Sequence, residues 1–309
     1  MKRLAFLFPG QASQKVGMGK EFYETSSLAR EIFSKADEVL DYKISELCFK
    51  GPEEELTLTE NTQPALLVVS TIAFQLLRIN PLLAAGHSLG EYSSLVAAEC
   101  LSFEDALMLV HKRGKYMQEA VPVGTGAMAA VLGASYEKVE KALKDIQTGV
   151  VEIANWNSQN QIVISGEKEA VQKAVDSIEA PKAVMLPVSA PFHCKLMMSA
   201  QRKLSYDLDQ VEFKKLKFPI ITNVDAEIIT DGDSAREALK KQVSHGVQWY
   251  RSMKILEKKK IDTIAELGSG NVLSGLMKRI SRPWKPRPNI LNVEDNQTLQ
   301  KAKQVLGVD

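Results

Sequence analysis

The chain has 309 residues, 45% of them hydrophobic, with 25% charged side chains and a net charge of +1. That length supports one large domain, or a large and a small one, around ample core, and the balanced charge gives no overall drive toward nucleic acid or an anionic membrane. Three distant cysteines, Cys48, Cys100 and Cys194, show neither metal-ligand spacing nor the even count of a disulfide framework, which fits a reducing cytoplasm.

The first apolar run, Leu4 to Phe8, ends at Pro9-Gly10, too early for a signal peptide, and reads as a strand. Helical patterns fill the Phe22 to Leu77 region. Its longest apolar segment, Pro64 to Leu77, is shorter than a bilayer requires and contains Ser70, Thr71 and Gln75, so a buried helix is expected there. A strand at Leu82 to Ala85 and two helices reaching about Ala120 continue the rhythm of a parallel sheet covered by helices. Composition breaks at Pro122-Val123-Gly124-Thr125-Gly126.

After the break come a strand at Ala127 to Leu132, a helix at Tyr136 to Ile146 and strands at Val150 to Asn155 and Gln161 to Ser165. A helix at Lys168 to Ile178 and a strand at Ala183 to Pro187 complete the β-α-β-β-α-β order of a ferredoxin-like unit. Beyond Pro191 the α/β rhythm resumes with a helix from His193 to about Leu208 and a strand near Phe218 to Thr222. Helices follow at Ala235 to Val243 and Trp249 to Lys258, then a strand at Thr263 to Leu267 and a helix at Val272 to Ile280. The expectation is therefore an α/β protein: a discontinuous large domain, 1–123 with 190–309, and a small domain inserted at 124–189. Gly268-Ser269-Gly270 invites a dinucleotide-binding reading, but Leu273 occupies the third glycine position of GxGxxG, so that reading is rejected. The basic runs at Lys258-Lys259-Lys260 and from Lys278 to Arg287 read as solvated faces, with a phosphate- or acid-binding patch as the alternative.

Gly86-His87-Ser88-Leu89-Gly90 carries the chemistry. It follows a strand and opens a helical pattern, the setting of a nucleophile elbow, where residues two before and two after the serine cannot carry side chains. The turn exposes the Ser88 hydroxyl at a helix head, where unpaired N–H groups and the dipole stabilise an oxyanion. A serine needs a base, and imidazole suits that task. Of four histidines, His87 should point away from its neighbour, His111 shares a helix with Arg113, and His245 sits in a polar stretch. His193, where the two domains meet, is the best candidate. Arg113 lies in line with the apolar residues Ala106, Val110 and Met117, so it needs an anionic partner: either an internal acid such as Glu91 or a substrate carboxylate. Glu91, in the first turn after Ser88, and Cys194, next to the candidate base on the expected helix, are assigned structural roles.

Taken together these residues resemble the malonyl-CoA:acyl-carrier-protein transacylases and the related acyltransferase domains of polyketide synthases. The matching pieces run nearly end to end: Phe8-Pro9-Gly10-Gln11, Thr62-Gln63-Pro64-Ala65, Gly86 to Glu91, Arg113, Asn155-Trp156-Asn157-Ser158, Pro187-Val188-Ser189 through His193, Val247-Gln248-Trp249, and Gly268 to Leu273. The resemblance implies an α/β-hydrolase-like large domain with a ferredoxin-like insertion. It implies Ser88 as the acylated nucleophile, His193 as its base oriented by a main-chain carbonyl, and Arg113 as the partner of a malonyl carboxylate. The amides of Gln11 and Leu89 would form the oxyanion hole, with Gln248 and Asn157 near the site, and Phe192 could crowd a methyl branch on the substrate. It further implies malonyl-CoA and acyl carrier protein as partners in fatty acid or polyketide synthesis, no metal or redox cofactor, and a cytoplasmic monomer without nucleic-acid or membrane partners. Two rivals stand beside this reading: a serine esterase or thioesterase that uses the same Ser88 and His193 but delivers the acyl group to water, and a noncatalytic carrier-binding protein built on a dead enzyme fold, against which the presence of both residues argues.

Overall fold

The computed structural model describes residues 2–188 and 190–308. Met1, Ser189 and Asp309 therefore lie outside the described residues, Ser189 being the last of the Pro187-Val188-Ser189 piece. The elements, in chain order, are β1 (Leu4–Phe8), α1 (Lys20–Thr25), α2 (Ser27–Leu40), α3 (Ile44–Lys50), α4 (Glu53–Thr57), α5 (Thr59–Leu77), β2 (Leu83–Gly86), α6 (Gly90–Ala97) and α7 (Phe103–Glu119). There follow β3 (Gly126–Leu132), α8 (Tyr136–Lys144), β4 (Val151–Ser158), β5 (Gln161–Glu167), α9 (Lys168–Ser177), β6 (Lys182–Met185) and α10 (Met198–Asp209). The chain ends with β7 (Ile220–Ile221), β8 (Ile228–Ile229), α11 (Gly232–Gln242), α12 (Trp249–Lys258), β9 (Thr263–Leu267), α13 (Val272–Ile280), β10 (Asn289–Val293) and α14 (Asn296–Leu306).

A six-stranded sheet runs in the order β10-β9-β1-β2-β7-β8. All its pairings are parallel except β7 with β8, so a short antiparallel edge strand closes a sheet expected to be parallel. The central strands are buried on both faces, and their residues divide by parity. Phe6 and Phe8 of β1 join the core beneath α2, α5 and α7, while Ala5 and Leu7 join the core beneath α12 and α13. This arrangement leaves the carboxyl ends of β1, β2, β7 and β9 on one edge, where loops can converge.

The second sheet is antiparallel, in the order β4-β5-β3-β6, with α8 and α9 on one face. That is the ferredoxin-like arrangement read from the element order. Val131, Ile162 and Ile164 face the two helices, while Met128 and Val163 point the other way and join the larger core. A bridge ties this sheet to the loop before α12: Trp156 N donates to Val247 O at 2.9 Å and Val247 N to Ala154 O at 2.8 Å. The cleft between the sheets is fixed by this join.

The structure departs from the sequence reading in several places. The strand expected near Phe218 to Thr222 is only two residues long, as β7, and β8, β10 and α14 form where no element was expected. His193 does not begin a helix. Its backbone is left-handed (φ +59°) and Cys194 is extended, so the chain turns before a single 3-10 turn at Lys195–Met197 leads into α10. A left-handed residue cannot join a right-handed helix, and the turn is what aims the imidazole inward.

Candidate active site

The elbow is built from close approaches. A Cβ on Gly86 would lie 1.8 Å from the Gly90 carbonyl, and one on Gly90 would lie 2.0 Å from Phe8 O. Ser88 has φ +53°, a strained conformation for a side-chain-bearing residue. Asn223, just past β7, holds it: Ser88 N donates to Asn223 Oδ1 at 2.6 Å, and Asn223 Nδ2 donates to Gly86 O at 2.6 Å. With the turn clamped at both ends, the hydroxyl is held toward the cavity.

The Ser88 Oγ lies 2.7 Å from His193 Nε2. His193 Nδ1 lies 2.9 Å from the Gln242 main-chain carbonyl, which can only accept, so Nδ1 carries the proton and Nε2 presents its lone pair to the serine. Burial, followed by the positive field of Arg113, pushes the His193 pKa down to about 3. The ring is thus neutral near pH 7, the form a base requires.

Arg113 is 1% exposed. Its Nη1 donates to Gln63 Oε1 at 2.7 Å, and its Nη2 to Gln242 Oε1 at 2.9 Å and to Ser88 Oγ at 3.1 Å. Its guanidinium lies over the Tyr92 ring, 5.7 Å from the centroid. Nε has no partner, and no carboxylate forms an ion pair with Arg113 among the described residues. The internal partner considered from sequence, Glu91, does not serve. Its carboxylate instead accepts from Gln242 Nε2 at 2.6 Å and Asn223 N at 3.2 Å. A buried guanidinium held only by neutral groups is costly, and an incoming carboxylate would balance it.

These tips line one cavity of about 160 Å³ between the two sheets, closed on the small-sheet side by Met128 and Asn155 and beside His193 by Phe192. Gln11 and Leu89 border it, and the backbone N–H of each has no hydrogen-bond partner among the described residues. Two other expected residues sit differently. Asn157 Oδ1 accepts from His87 Nε2 at 2.8 Å, which draws the His87 ring away from Ser88 and toward Trp249. Gln248 caps α12 and donates its backbone N–H to Asn223 O at 2.7 Å, one residue removed from the elbow.

The glutamine that reaches the centre is Gln242, and with it Gln63 and Asn223; sequence reasoning named none of them in a site role. Signals existed. Gln242 falls at offsets of 3, 4 and 7 from Leu239, Ala238 and Ala235, the apolar face of α11, as Arg113 does on α7. Gln63 interrupts the buried face of α5, and Asn223 stands at the carboxyl end of a sheet strand. The GxG loop after β9 holds no open anion site: Glu266 accepts from Leu273 N at 3.0 Å and Ser274 N at 2.7 Å, filling the head of α13.

A serine hydroxyl against a neutral imidazole, with two free amides alongside on an α/β scaffold, is the equipment of an acyltransferase. The chain belongs to the acyl transferase domain family, whose sequence model matches residues 5–267. It is 44% identical to the malonyl CoA-acyl carrier protein transacylase of Bacillus subtilis (strain 168), over 99% of this chain and 98% of that protein. Among solved structures it resembles the acyl-carrier-protein-S-malonyltransferase of Bartonella henselae, with a TM-score of 0.95 and 39% identity over the whole of both chains. It equally resembles a malonyl-transacylase solved in complex with its type II PKS acyl-carrier protein, with a TM-score of 0.94 and 39% identity over 98% of this chain and 100% of that one.

Proposed function

We propose that this chain transfers a malonyl group from malonyl-CoA to the phosphopantetheine thiol of an acyl carrier protein, through an ester on Ser88. The observation that carries the reading is Arg113, a buried cation without an acid partner among the described residues, 3.1 Å from the serine oxygen. A malonyl group carries its free carboxylate two bonds from the thioester carbonyl, so one group can meet both Arg113 and Ser88. The names of the relatives support the same choice.

His193 Nε2 takes the Ser88 proton as Oγ attacks the thioester carbonyl, and the amides of Gln11 and Leu89 stabilise the tetrahedral oxyanion. The C–S bond breaks, His193 returns the proton to the departing CoA sulfur, and the malonyl ester remains. The carrier's thiol then enters, gives its proton to His193 and attacks the ester; the second tetrahedral species expels Ser88 Oγ, which recovers the proton. Each proton and leaving group is accounted for by these side chains and the two thiols, without a cofactor. The carboxylate on Arg113 also offsets the field that lowers the His193 pKa, making the base stronger once the right substrate is bound.

A cytoplasmic monomer acting in fatty acid or polyketide synthesis belongs to this reading. Its three cysteines are buried and free, and among the described residues no helix is long and apolar enough to cross a membrane. The inserted small domain, 124–189, is supported by β3 to β6 and both their helices falling between Gly126 and Met185. The test is incubation with malonyl-CoA with and without holo carrier protein. Malonyl should move to the carrier with little free malonate; malonate released equally fast in both would make the enzyme a hydrolase.

A further inference from the structure

Glu91 is 1% exposed, and the two groups it holds are the two that position the reacting residues. Gln242 Nε2, 2.6 Å from the carboxylate, also donates to Ser88 O at 2.9 Å; Gln242 Oε1 holds Arg113, and its main-chain carbonyl holds His193. Asn223, whose N–H lies 3.2 Å from the same oxygen, clamps the elbow on both sides of Ser88. One carboxylate thus joins α6, α11 and the loop after β7, and through them the nucleophile, base and substrate-binding cation. We propose that Glu91 is a positioning residue for acyl transfer: its ionised carboxylate fixes Gln242 and Asn223, and so the alignment of Ser88, His193 and Arg113. This rests on the roles proposed above for those three.

The alternative is a carboxylate that merely complements the head of α6. Position argues against that, because Glu91 Oε2 accepts from two other segments of the chain. A carboxylate accepts two charge-assisted bonds at once, whereas a neutral carboxyl or amide holds the same pair less firmly. The charged groups whose fields reach it are Arg113 on α7 and Asp225 after β7; the adjacent Tyr92 on its own helix has its phenol held neutral by burial. Desolvation outweighs its hydrogen bonds and pushes the Glu91 pKa up to about 7, while burial takes His193 down to about 3. An acid limb near neutrality in kcat/KM, which reports the free enzyme, would therefore belong to Glu91 and not to the base.

The experiment measures acylation of the full chain by malonyl-CoA and by acetyl-CoA, from pH 5.5 to 8.5, in wild type, Glu91→Gln and Glu91→Ala, with Ser88→Ala as the control. Glu91→Ala should slow malonyl acylation at pH 8 by about 10- to 150-fold, with most of the loss in kcat, and weaken the preference for malonyl over acetyl. Glu91→Gln should be slowed only about 3- to 10-fold and lose the acid limb, matching wild type at low pH. A folded Glu91→Ala enzyme within twofold of wild type, or a Glu91→Gln enzyme that keeps the limb, overturns the proposal. Should the alanine variant not fold, the glutamine profile decides alone. Adduct formation in Ser88→Ala would instead overturn the serine reading itself.

Discussion

Two helix heads at the same edge of the large sheet follow similar glycine-bearing turns, yet only one is open. After β2, Gly86 to Gly90 leads into α6, with the Leu89 amide free of any partner among the described residues and a cavity in front. After β9, Gly268 to Asn271 leads into α13, whose first amides are taken by Glu266, while Glu294 accepts from Gly270 N at 3.1 Å. A strand, a glycine turn and a helix dipole are common to both; an internal carboxylate closes one and its absence leaves the other for an oxyanion. The open head also has a cation, Arg113, with no acid partner among the described residues.

The largest effect should come from removing the nucleophile of the open head. Ser88→Ala is expected to lower malonyl transfer by about 10⁴-fold or more, measured as initial rates with malonyl-CoA and holo carrier protein. A residual rate above a hundredth of wild type would mean that the elbow is not the reacting end. Arg113→Ala sharpens the comparison by removing the waiting cation: malonyl transfer should fall about 10- to 150-fold, with acetyl transfer spared or improved. Equal losses for both acyl groups would make the arginine a support of the fold.

The buried acids behind the two heads give the next contrast. The folded protein holds the Glu91 proton up to about pH 7, against an ordinary value of 4.5. Between those limits the native state binds more protons than the unfolded chain, so this group's contribution to stability declines as pH rises. Denaturant unfolding of wild type relative to Glu91→Gln should reveal the decline as roughly 3 kcal/mol across that window. A difference independent of pH would show that Glu91 ionises as readily folded as unfolded. The smallest effect on catalysis should come from the closed head: Glu266→Gln is expected to cost about 1–3 kcal/mol of stability, with transfer rates within about threefold of wild type. A loss of transfer as large as that from Arg113→Ala would show that the α13 head takes part in the reaction.

Much of this was legible from local pattern. The β1, α12, β9 and α13 limits follow from short apolar runs and amphipathic spacing, and the small sheet from the order of its elements. The elbow was legible because its glycines answer a steric demand that any sequence must meet. What stayed hidden depends on contacts between distant segments. Whether Arg113 pairs with Glu91 turns on which of several buried amides reaches the carboxylate first, and no spacing encodes that. Gln242 gives its carbonyl to His193 and its side chain to Arg113 from 49 and 129 residues away. Gln248, six residues on, sits in a better-marked piece of sequence but ends one step outside. The left-handed turn at His193 was likewise hidden, since nothing in Pro191-Phe192-His193-Cys194 distinguishes a turn from a first helical residue.

The central claim is that Ser88 carries the acyl group between two thiols. Intact-protein mass after exposure to malonyl-CoA, followed by peptide mapping and then addition of holo carrier protein, tests it in one sequence of steps. A single malonyl adduct on the Ser88 peptide, discharged onto the carrier, is the result predicted; no adduct on the wild-type chain, or one that persists in Ser88→Ala, would contradict it.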